Sequence, residues 1–380
     1  MGPSVRRRGR RRALAGAVAL VASALAFTPA TAAPGSRTLI DGGGSHTCAI
    51  ESGAVKCWGA NVSGQLGNDA TVGSSVPVGV TGLARAVSIS AGLRHSCAVL
   101  ANGTAACWGD NRAGQLGNGT EHPSSTPVAV SKLTGVIAVS TGFSHSCALL
   151  STGGVACWGS NSTGQLGRGH LAQSTTPVNV TGPRDAVGIS AGFQHSCLVA
   201  RTGQVRCWGH NQYGELGSSD TRPSSKPLTV RGVSNAVAVS AGDSFTCALL
   251  SSGRVKCWGD DSSGQLAGVQ SSGAATLIDG VRHATAIAAG GRHVCALTGG
   301  SVQCWGDNYY GEIGDGTHGY TARVSTVAGI HGAIAIAAGG DHSCALFADG
   351  GAKCWGFNAS GQLGTGTHDI SRLPKPVVGL

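Results

Sequence analysis

Cysteine is the residue type in this sequence whose number and spacing point most clearly to chemistry. The fourteen cysteines fall into seven pairs, nine or ten positions apart. They could form disulfides, bind zinc together with histidine, or place a cysteine nucleophile beside a histidine base. The pairs are Cys48 and Cys57, Cys97 and Cys107, Cys147 and Cys157, Cys197 and Cys207, Cys247 and Cys257, Cys295 and Cys304, and Cys344 and Cys354. A histidine stands two positions before the first cysteine in six pairs, at His46, His95, His145, His195, His293 and His342.

The segment between the two cysteines of a pair predicts a β-hairpin. Where the spacing is ten, a three-residue loop that ends in glycine stands at the centre, as in Ala101-Asn102-Gly103. Where the spacing is nine, a two-residue loop such as Ser52-Gly53 suffices. Both arrangements place the cysteines directly opposite each other, with Cα atoms about 4.5 Å apart, which a disulfide can span. We therefore expect seven disulfides and no metal or cofactor; zinc is the competing interpretation, although the spacing differs from a zinc-knuckle pattern.

The six histidines could also be catalytic, but their regular recurrence argues against it. An enzyme site normally combines unequal partners at one place, whereas these histidines occupy the same position in repeat after repeat. We expect each of them to form a hydrogen bond with a neighbouring turn, because buried polar groups need partners. The sequence therefore predicts no catalytic residue.

The elements that must position these residues belong to one internal repeat. Every tryptophan lies in Cys-Trp-Gly, at Trp58, Trp108, Trp158, Trp208, Trp258, Trp305 and Trp355. In the second repeat, four short strands are predicted at 87–90, 96–100, 104–108 and 126–130. Seven such units predict an all-β, seven-bladed β-propeller of four-stranded blades over residues 33–380, with the ring closed by the chain termini. An open β-solenoid is the alternative, although its repeats are usually shorter.

Residues 1–32 have the pattern of a secretory signal peptide. Arginines at 6–8 and 10–12 are followed by an apolar stretch, 13–27, and by small residues that end in Ala32. We expect cleavage after Ala32 and secretion by the Sec or the twin-arginine route, to a location where disulfides persist. Six of the nine net positive charges lie in this segment, so the mature chain has about +3 and no basic patch for nucleic acid. The apolar stretch is too short to span a membrane, and we expect a monomer.

The segment Cys-Trp-Gly-x-Asn-x-x-Gly-Gln-Leu-Gly resembles the repeat of the regulator of chromosome condensation family, and the resemblance covers residues 36–380. It implies a seven-bladed propeller, since members of that family have this fold. Members that act as exchange factors for a small nuclear GTPase use a protruding insertion and a basic tail. Here the repeats are uniform and the basic segment precedes the expected cleavage site, so we do not expect exchange activity. A secreted propeller that inhibits β-lactamases is similar in location, but its repeat is shorter and lacks the cysteine pairs.

The positions at which the repeats differ are the best candidates for binding, because function lies in sites added to a fold. Interface centres favour tyrosine and arginine, and we expect Tyr213, Tyr309, Tyr310 and Arg112, in the loops after Trp-Gly, to bind a partner. Ordinary loop variability is the alternative explanation. The sequence thus predicts a secreted scaffold, not an enzyme, that binds a protein or a cell-wall partner. A secreted lyase or hydrolase, or an inhibitor of a secreted enzyme such as a β-lactamase, is the alternative function.

Departures from the repeat lie mostly in the fifth and sixth units. Phe245 replaces the histidine, Asp261 the asparagine, and Ala267 the last glycine of Gly-Gln-Leu-Gly. Glu215 and Glu312 replace the glutamine. The sequence leaves open whether these changes are functional or are tolerated by the scaffold.

Overall fold

Four antiparallel strands form each blade, because every repeat separates short apolar segments with glycine-rich turns. The hairpin loops show why glycine is needed, since Gly103 has a φ of +77°, a conformation that costs glycine little. The described residues form twenty-eight strands, which pair in chain order within seven four-stranded sheets. The strands are β1 Ile40–Gly42, β2 His46–Glu51, β3 Ala54–Gly59, β4 Ser74–Gly79, β5 Ala86–Ala91, β6 His95–Leu100, β7 Ala105–Gly109, β8 Ser124–Ala129, β9 Val136–Thr141, β10 His145–Leu150, β11 Val155–Gly159, β12 Ser174–Asn179, β13 Ala186–Ala191, β14 His195–Ala200, β15 Val205–Gly209, β16 Ser224–Thr229, β17 Ala236–Ala241, β18 Phe245–Leu250, β19 Val255–Gly259, β20 Ser272–Leu277, β21 Ala284–Ala289, β22 His293–Thr298, β23 Ser301–Gly306, β24 Thr321–Thr326, β25 Ala333–Ala338, β26 His342–Phe347, β27 Ala352–Gly356 and β28 Ser371–Pro376.

Blade 1 contains β1 to β4, and each later blade contains the next four strands. We call the strands of a blade A, B, C and D, from the central channel outward. The computed structural model describes residues 1–2, 39–218, 220–268 and 270–380. The expected signal peptide, 1–32, thus lies outside the described residues except for its first two positions. In the part of the chain that is described, no helix has the length and hydrophobicity that crossing a bilayer requires.

The apolar core lies between adjacent blades, and each blade contributes one tryptophan to it. Trp158 of blade 3 is fully buried and packs in one cluster with Leu116 of blade 2. Its indole Nε1 donates a hydrogen bond to the carbonyl oxygen of Gln115 at 2.8 Å, so a large ring is buried with its polar atom satisfied. Trp58 of blade 1 donates in the same way to Gln362 of blade 7 at 2.9 Å. The ring therefore closes by packing between two complete blades, and the predicted seven-bladed propeller is confirmed.

All seven predicted disulfides are present, each between strands B and C of one blade. Cys97 and Cys107 are directly paired in the antiparallel register, with their Cα atoms 4.0 Å apart. Cys48 and Cys57, which are nine positions apart, are paired equally well, at 4.1 Å. The described residues contain no free cysteine. The hairpin register is therefore confirmed, and these residues have no free thiolate with which to bind zinc.

Candidate functional site

The A–B turns and the C–D loops lie at the same end of the propeller, which we call the loop face. Thr163 Oγ1, in the C–D loop of blade 3, donates a hydrogen bond to the carbonyl oxygen of Gln194, in the A–B turn of blade 4, at 3.0 Å. The A–B turns are residues 43–45, 92–94, 142–144, 192–194, 242–244, 290–292 and 339–341. The C–D loops are residues 60–73, 110–123, 160–173, 210–223, 260–271, 307–320 and 357–370.

An asparagine at the start of the C–D loop holds the loop in shape. Asn111 Oδ1 accepts a hydrogen bond from the amide of Leu116 at 2.9 Å, and its Nδ2 donates to the carbonyl oxygen of Thr120 at 3.0 Å. Within this loop Arg112, Gly119 and Thr120 are exposed, whereas Gln115 and Leu116 are buried. In blade 5, Asp261 still accepts from the amide of Leu266 at 2.6 Å, but a carboxylate has no N–H to donate, and this loop is shorter.

The predicted partner-binding residues all lie on the loop face, and the structure brings two of them together. The rings of Tyr309 and Tyr310 meet edge to face with centroids 4.8 Å apart, and Tyr310 packs on Phe357 of blade 7 at 4.5 Å. We call these three residues the aromatic cluster. Tyr213 is in blade 4, separated from the cluster by blade 5. Arg112 is in blade 2, away from the cluster, and its side chain is 78% exposed.

An open groove lies beside the aromatic cluster, between the C–D loop of blade 6 and strand D of blade 7. It encloses about 1000 Å³. We call it the blade 6–7 groove. Its side chains are Tyr309, Tyr310, His318, Ile370, Ser371, Arg372, Leu373 and Lys375.

The A–B turns form the mouth of the central channel, which encloses about 420 Å³. The two positions after the first glycine of each turn hold different residues in different blades. Blades 2 to 4 place apolar side chains at the mouth, namely Leu93, Phe143 and Phe193, and blades 5 to 7 place charged ones, namely Asp243, Arg292 and Asp341. The rings of Phe143 and Phe193 are 4.1 Å apart between centroids. The mouth therefore has an apolar half and a charged half, which the sequence analysis missed although an alignment of the seven repeats contains the signal.

The carboxyl groups of the channel lose hydration, and their pKa values rise accordingly. Burial raises the pKa of Asp41 to about 6, although Asp41 accepts a hydrogen bond from the amide of Ala91 at 2.9 Å. Burial raises the pKa of Asp243 to about 7, against the smaller opposite effect of Arg292. The pKa of Asp341 is also raised, first by burial. These groups exchange protons nearer to neutral pH than ordinary carboxyls, a property found at many functional sites.

Glu215 takes over the structural role of the glutamine that it replaces and adds an ionisable contact. In blade 2 the glutamine Oε1 of this position accepts from the backbone two residues earlier, and Glu215 Oε2 accepts from the amide of Tyr213 at 2.9 Å. Its other oxygen forms a hydrogen bond with His210, and this bond raises the pKa of His210. The carboxylate thus holds the backbone of one predicted partner-binding residue.

Glu312 holds the backbone of another such residue but has one oxygen without a partner. Its Oε2 accepts from the amide of Tyr310 at 2.9 Å. Its Oε1 is buried and makes no hydrogen bond within the described part of the chain. Asp307 stands where blade 4 has His210, and burial together with this second carboxyl raises the pKa of Glu312 to about 7. Glu215 therefore lies beside a basic side chain, whereas Glu312 lies beside an acidic one.

The six repeated histidines link neighbouring blades rather than turns. His95 Nε2 lies 2.9 Å from Ser146 Oγ, on strand B of the next blade, and Ser146 Oγ donates to the carbonyl oxygen of Gln115 at 2.9 Å. Because the hydroxyl hydrogen is used in that way, the imidazole Nε2 is the donor to Ser146 Oγ. The Nδ1 atoms are buried without a partner in the described residues, and burial lowers the pKa of His95 to about 3. The pairs are His46 with Ser96, His95 with Ser146, His145 with Ser196, His195 with Thr246, His293 with Ser343, and His342 with Thr47.

Phe245 replaces the repeated histidine at the interface between blades 5 and 6, where the partner position is also apolar. Where the histidine is replaced by Phe245, the hydroxyl residue of the next blade is replaced by Val294, and both side chains are fully buried in one apolar cluster. A donor and its acceptor have therefore been replaced together by apolar groups. This departure is structural, and Trp305 of the same interface keeps its hydrogen bond to Gln265 at 2.9 Å.

The loop face offers aromatic rings, basic side chains and partly hydrated carboxyls. Within residues 39–218, 220–268 and 270–380, no group of three or more histidine, cysteine, aspartate or glutamate side chains is close enough to hold a metal ion. The histidines that sequence reasoning considered for catalysis are neutral, buried and bonded to hydroxyls. These histidines are therefore part of the contacts between blades.

Comparison with known proteins identifies the fold. The RCC1-like domain family matches residues 21–293 and 136–380, in two overlapping segments. Yeast RCC1 (Prp20), solved bound to Kap60, is 21% identical, with a TM-score of 0.78 over 87% of this chain and 84% of that chain. Human WBSCR16 is 23% identical, with a TM-score of 0.78 over 86% of this chain and 94% of that chain.

A more distant likeness is to a plant receptor. The CRINKLY WD40 ectodomain of the Arabidopsis thaliana receptor kinase ACR4 is 19% identical, with a TM-score of 0.53 over 84% of this chain and 97% of that chain. At these identities, likeness to solved structures shows the fold alone. No curated protein matches this chain in sequence.

Proposed function

Because this chain belongs to the RCC1-like domain family, we propose that it is a secreted scaffold without catalytic activity that binds a protein or cell-wall partner on its loop face. Propellers of this family commonly bind proteins, and yeast RCC1 (Prp20) was solved bound to Kap60. The seven disulfides are compatible with an extracellular location, where thiols are oxidised.

The proposal rests first on how the repeated residues are used. The cysteines are in disulfides, the tryptophans and histidines join neighbouring blades, and the asparagines hold the C–D loops. These groups are engaged inside the scaffold. Chemistry that distinguishes this protein must therefore come from residues that differ among the blades, and the loop face carries several of them in exposed positions.

The observation that carries the proposal is the aromatic cluster. Tyr309 is 63% exposed, yet its ring is held against Tyr310, which in turn packs on Phe357. An exposed ring that is already held in place loses little conformational entropy on binding. Such rigid aromatic side chains are the residues that dominate the binding energy of interfaces.

A secreted hydrolase or lyase is the second candidate, and the charged half of the channel mouth favours it. A carboxyl whose pKa lies near 7, such as that of Asp243 in this half of the mouth, is suited to general acid catalysis. In that case the mature protein would release products from cell-wall glycan, and Asp243→Asn would abolish the release. Absence of product at high protein concentration would reject this candidate.

The binding proposal is tested by removing the predicted partner-binding rings. The mature protein is used to capture a partner from cell-wall material and secreted proteins, and the affinity for that partner is then measured by calorimetry. The triple change Tyr213→Ala, Tyr309→Ala and Tyr310→Ala should weaken binding at least tenfold, about 1.4 kcal/mol. The disulfides and the melting temperature should stay close to those of the unmodified protein, because these rings lie outside the core between the blades.

Phe347→Ala is the matched control, because Phe347 ends strand B of blade 7 next to the hairpin at the opposite end of the propeller. It removes one aromatic ring but should leave the affinity unchanged. An equal loss of affinity in the control and the triple variant, or no loss in the triple variant, would contradict binding through the loop face.

A further inference from the structure

Strand D of blade 7 departs from the D strands of the other blades in a way that adds charge. In blade 1 the corresponding positions hold Ser75 and Val78, and β28 has Arg372 and Lys375 there. Both basic side chains are exposed and both line the blade 6–7 groove. The same blade interface therefore carries the aromatic cluster and two cations that its repeat does not require.

These cations have no internal partner. Neither Arg372 nor Lys375 forms an ion pair within the described part of the chain. The described residues that line the groove include no acid and one further basic side chain, His318. A concave surface with two unpaired cations attracts an anionic ligand, and arginine binds carboxylates with two parallel hydrogen bonds.

The groove also exposes aliphatic side chains. Ile370 is 48% exposed and Leu373 is 45% exposed, and both line the groove together with Tyr309 and Tyr310. Sugar rings stack on aromatic side chains but gain little from isolated aliphatic ones, whereas leucine and isoleucine are ordinary contacts for the apolar side chains of a peptide. The combination of cations with aliphatic surface therefore favours an acidic peptide over an acidic glycan.

The backbone of β28 limits the mode of recognition. This strand pairs with β27 on one side and forms the outer edge of its sheet. Pro374 and Pro376 lack an N–H, so a partner strand cannot add to this edge with a full ladder of hydrogen bonds. Side chains must then supply the contacts.

We propose that the blade 6–7 groove binds an extended acidic segment of a protein partner. Its carboxylates would lie on Arg372 and Lys375, and its apolar side chains between Tyr309 and Leu373. This inference deepens the proposed function and rests on it, because it names the chemistry of the partner at one sector of the loop face.

The test measures fluorescence anisotropy of labelled probes with the mature protein. The main probe is a pool of short peptides in which glutamate alternates with leucine or phenylalanine. Matched pools carry glutamine or lysine in place of glutamate, and labelled polyglucuronate represents an anionic glycan. The acidic pool should bind at least about tenfold more tightly than the other three probes, and raised salt should weaken it because the contacts are ionic.

The variant Arg372→Ser with Lys375→Val copies the residues of blade 1, so it should fold, and it should weaken the acidic pool at least about tenfold. The control, Lys226→Thr with Arg231→Thr, removes two positive charges from blade 4 and copies the residues of blade 3; it should bind like the unmodified protein. If the groove variant does not fold, the salt dependence of binding of the acidic pool to the unmodified protein still tests the inference.

Three results would overturn the inference: tighter binding of polyglucuronate, equal binding of the glutamine pool, or unchanged binding by the groove variant. These outcomes are separable from failure of the proposed function. If the tyrosine triple variant still loses the captured partner while the acidic pool fails to bind, the loop face is a binding surface and only the assignment of an acidic segment is wrong.

Discussion

Replacing one histidine–hydroxyl pair with the apolar pair that the chain itself carries elsewhere tests the reasoning about the blade interfaces. His145 Nε2 lies 2.9 Å from Ser196 Oγ, which donates to the carbonyl oxygen of Gln165 at 3.0 Å. Between blades 5 and 6 the same positions hold Phe245 and Val294, both fully buried. The variants to compare are His145→Phe, Ser196→Val and the two changes combined.

The two single changes should not add. Ser196→Val leaves the imidazole N–H buried without an acceptor, which costs about 1–3 kcal/mol. The carbonyl oxygen of Gln165 stays satisfied, because Trp208 Nε1 still donates to it at 2.8 Å. In the combined variant both partners are apolar, and most of that penalty disappears. We therefore expect a coupling free energy of about 1–2 kcal/mol between the two sites.

The same variants should differ in their response to acid. Burial lowers the pKa of His145 from 6.5 to about 3, so the folded state binds fewer protons than the unfolded state between these values. The stability that neutral His145 contributes is therefore complete above pH 6.5 and is lost as the pH falls towards 3. The loss is about 1.4 kcal/mol per pH unit, or about 2 kcal/mol at about pH 5. The combined variant lacks this loss, so its stability relative to the unmodified protein should rise by about 2 kcal/mol between about pH 7.5 and pH 5.

The assay is equilibrium unfolding in guanidinium without reductant, followed by tryptophan fluorescence at both pH values. His122→Phe is the control, because His122 is an exposed histidine of a C–D loop and its loss should not change the response to acid. The reasoning is refuted if Ser196→Val costs the same free energy with and without His145→Phe. It is also refuted if the combined variant and the unmodified protein respond equally to acid.

Three other outcomes are expected. The unmodified protein should lose stability below pH 6.5, because the lowered pKa values of six buried histidines remove about 8 kcal/mol per pH unit while the raised pKa values of Asp41, Asp243 and Glu312 return about 4 kcal/mol per pH unit. A stability maximum near pH 4.5 in unfolding curves would contradict this. Replacing Cys147 and Cys157 with serine should lower the unfolding free energy by roughly 2–3 kcal/mol, measured in guanidinium, whereas the intact protein should show no reactive thiol. The predicted signal peptide implies that the exported protein begins at Ala33 in mass spectrometry, and retention of residues 1–32 would contradict the predicted cleavage.

The hairpin register could be predicted because it depends only on local spacing. The number of loop residues decides which positions face each other across a hairpin, and a change of one residue in the spacing is matched by a change of one in the loop. Cys97 with Cys107 and Cys48 with Cys57 obey this rule with different spacings. The seven-fold repetition of Cys-Trp-Gly then determined the number of blades.

The contacts between blades could not be predicted from the same pattern. The partner of His95 is Ser146, 51 positions later, and its identity depends on how one sheet packs on the next rather than on any local period. The charged half of the channel mouth is similar, because Asp243 and Asp341 come from different repeats and are brought to one side of the channel by the packing of blades 5 to 7. The joint replacement of His and Ser by Phe245 and Val294 was the available signal, since two positions of the repeat change together.

A further set of contacts between blades shows where the scaffold has lost its regularity. The amide of Ala191 donates to Ser140 Oγ of the preceding blade at 2.9 Å. At other interfaces, a hydroxyl or carboxylate at the same position of strand A accepts the equivalent hydrogen bond. In blades 6 and 7 this position holds Ala288 and Ala337, which cannot accept a hydrogen bond through their side chains. Asp41 of blade 1 makes up for one of these losses, because it accepts from its own neighbour Gly42 at 3.1 Å as well as from the next blade.

The interfaces from blade 5 onward have therefore given up polar contacts that the earlier interfaces keep. Each still buries its tryptophan with the indole hydrogen bond, as Trp355 does at 2.7 Å to Glu312, so the ring holds together through packing. The charged half of the channel mouth, the aromatic cluster and the blade 6–7 groove lie in these same blades. Departures from local rules that bring no evident gain in stability are expected at functional sites rather than elsewhere in a scaffold. This coincidence supports the proposal that the centre of the partner site lies on blades 6 and 7 of the loop face.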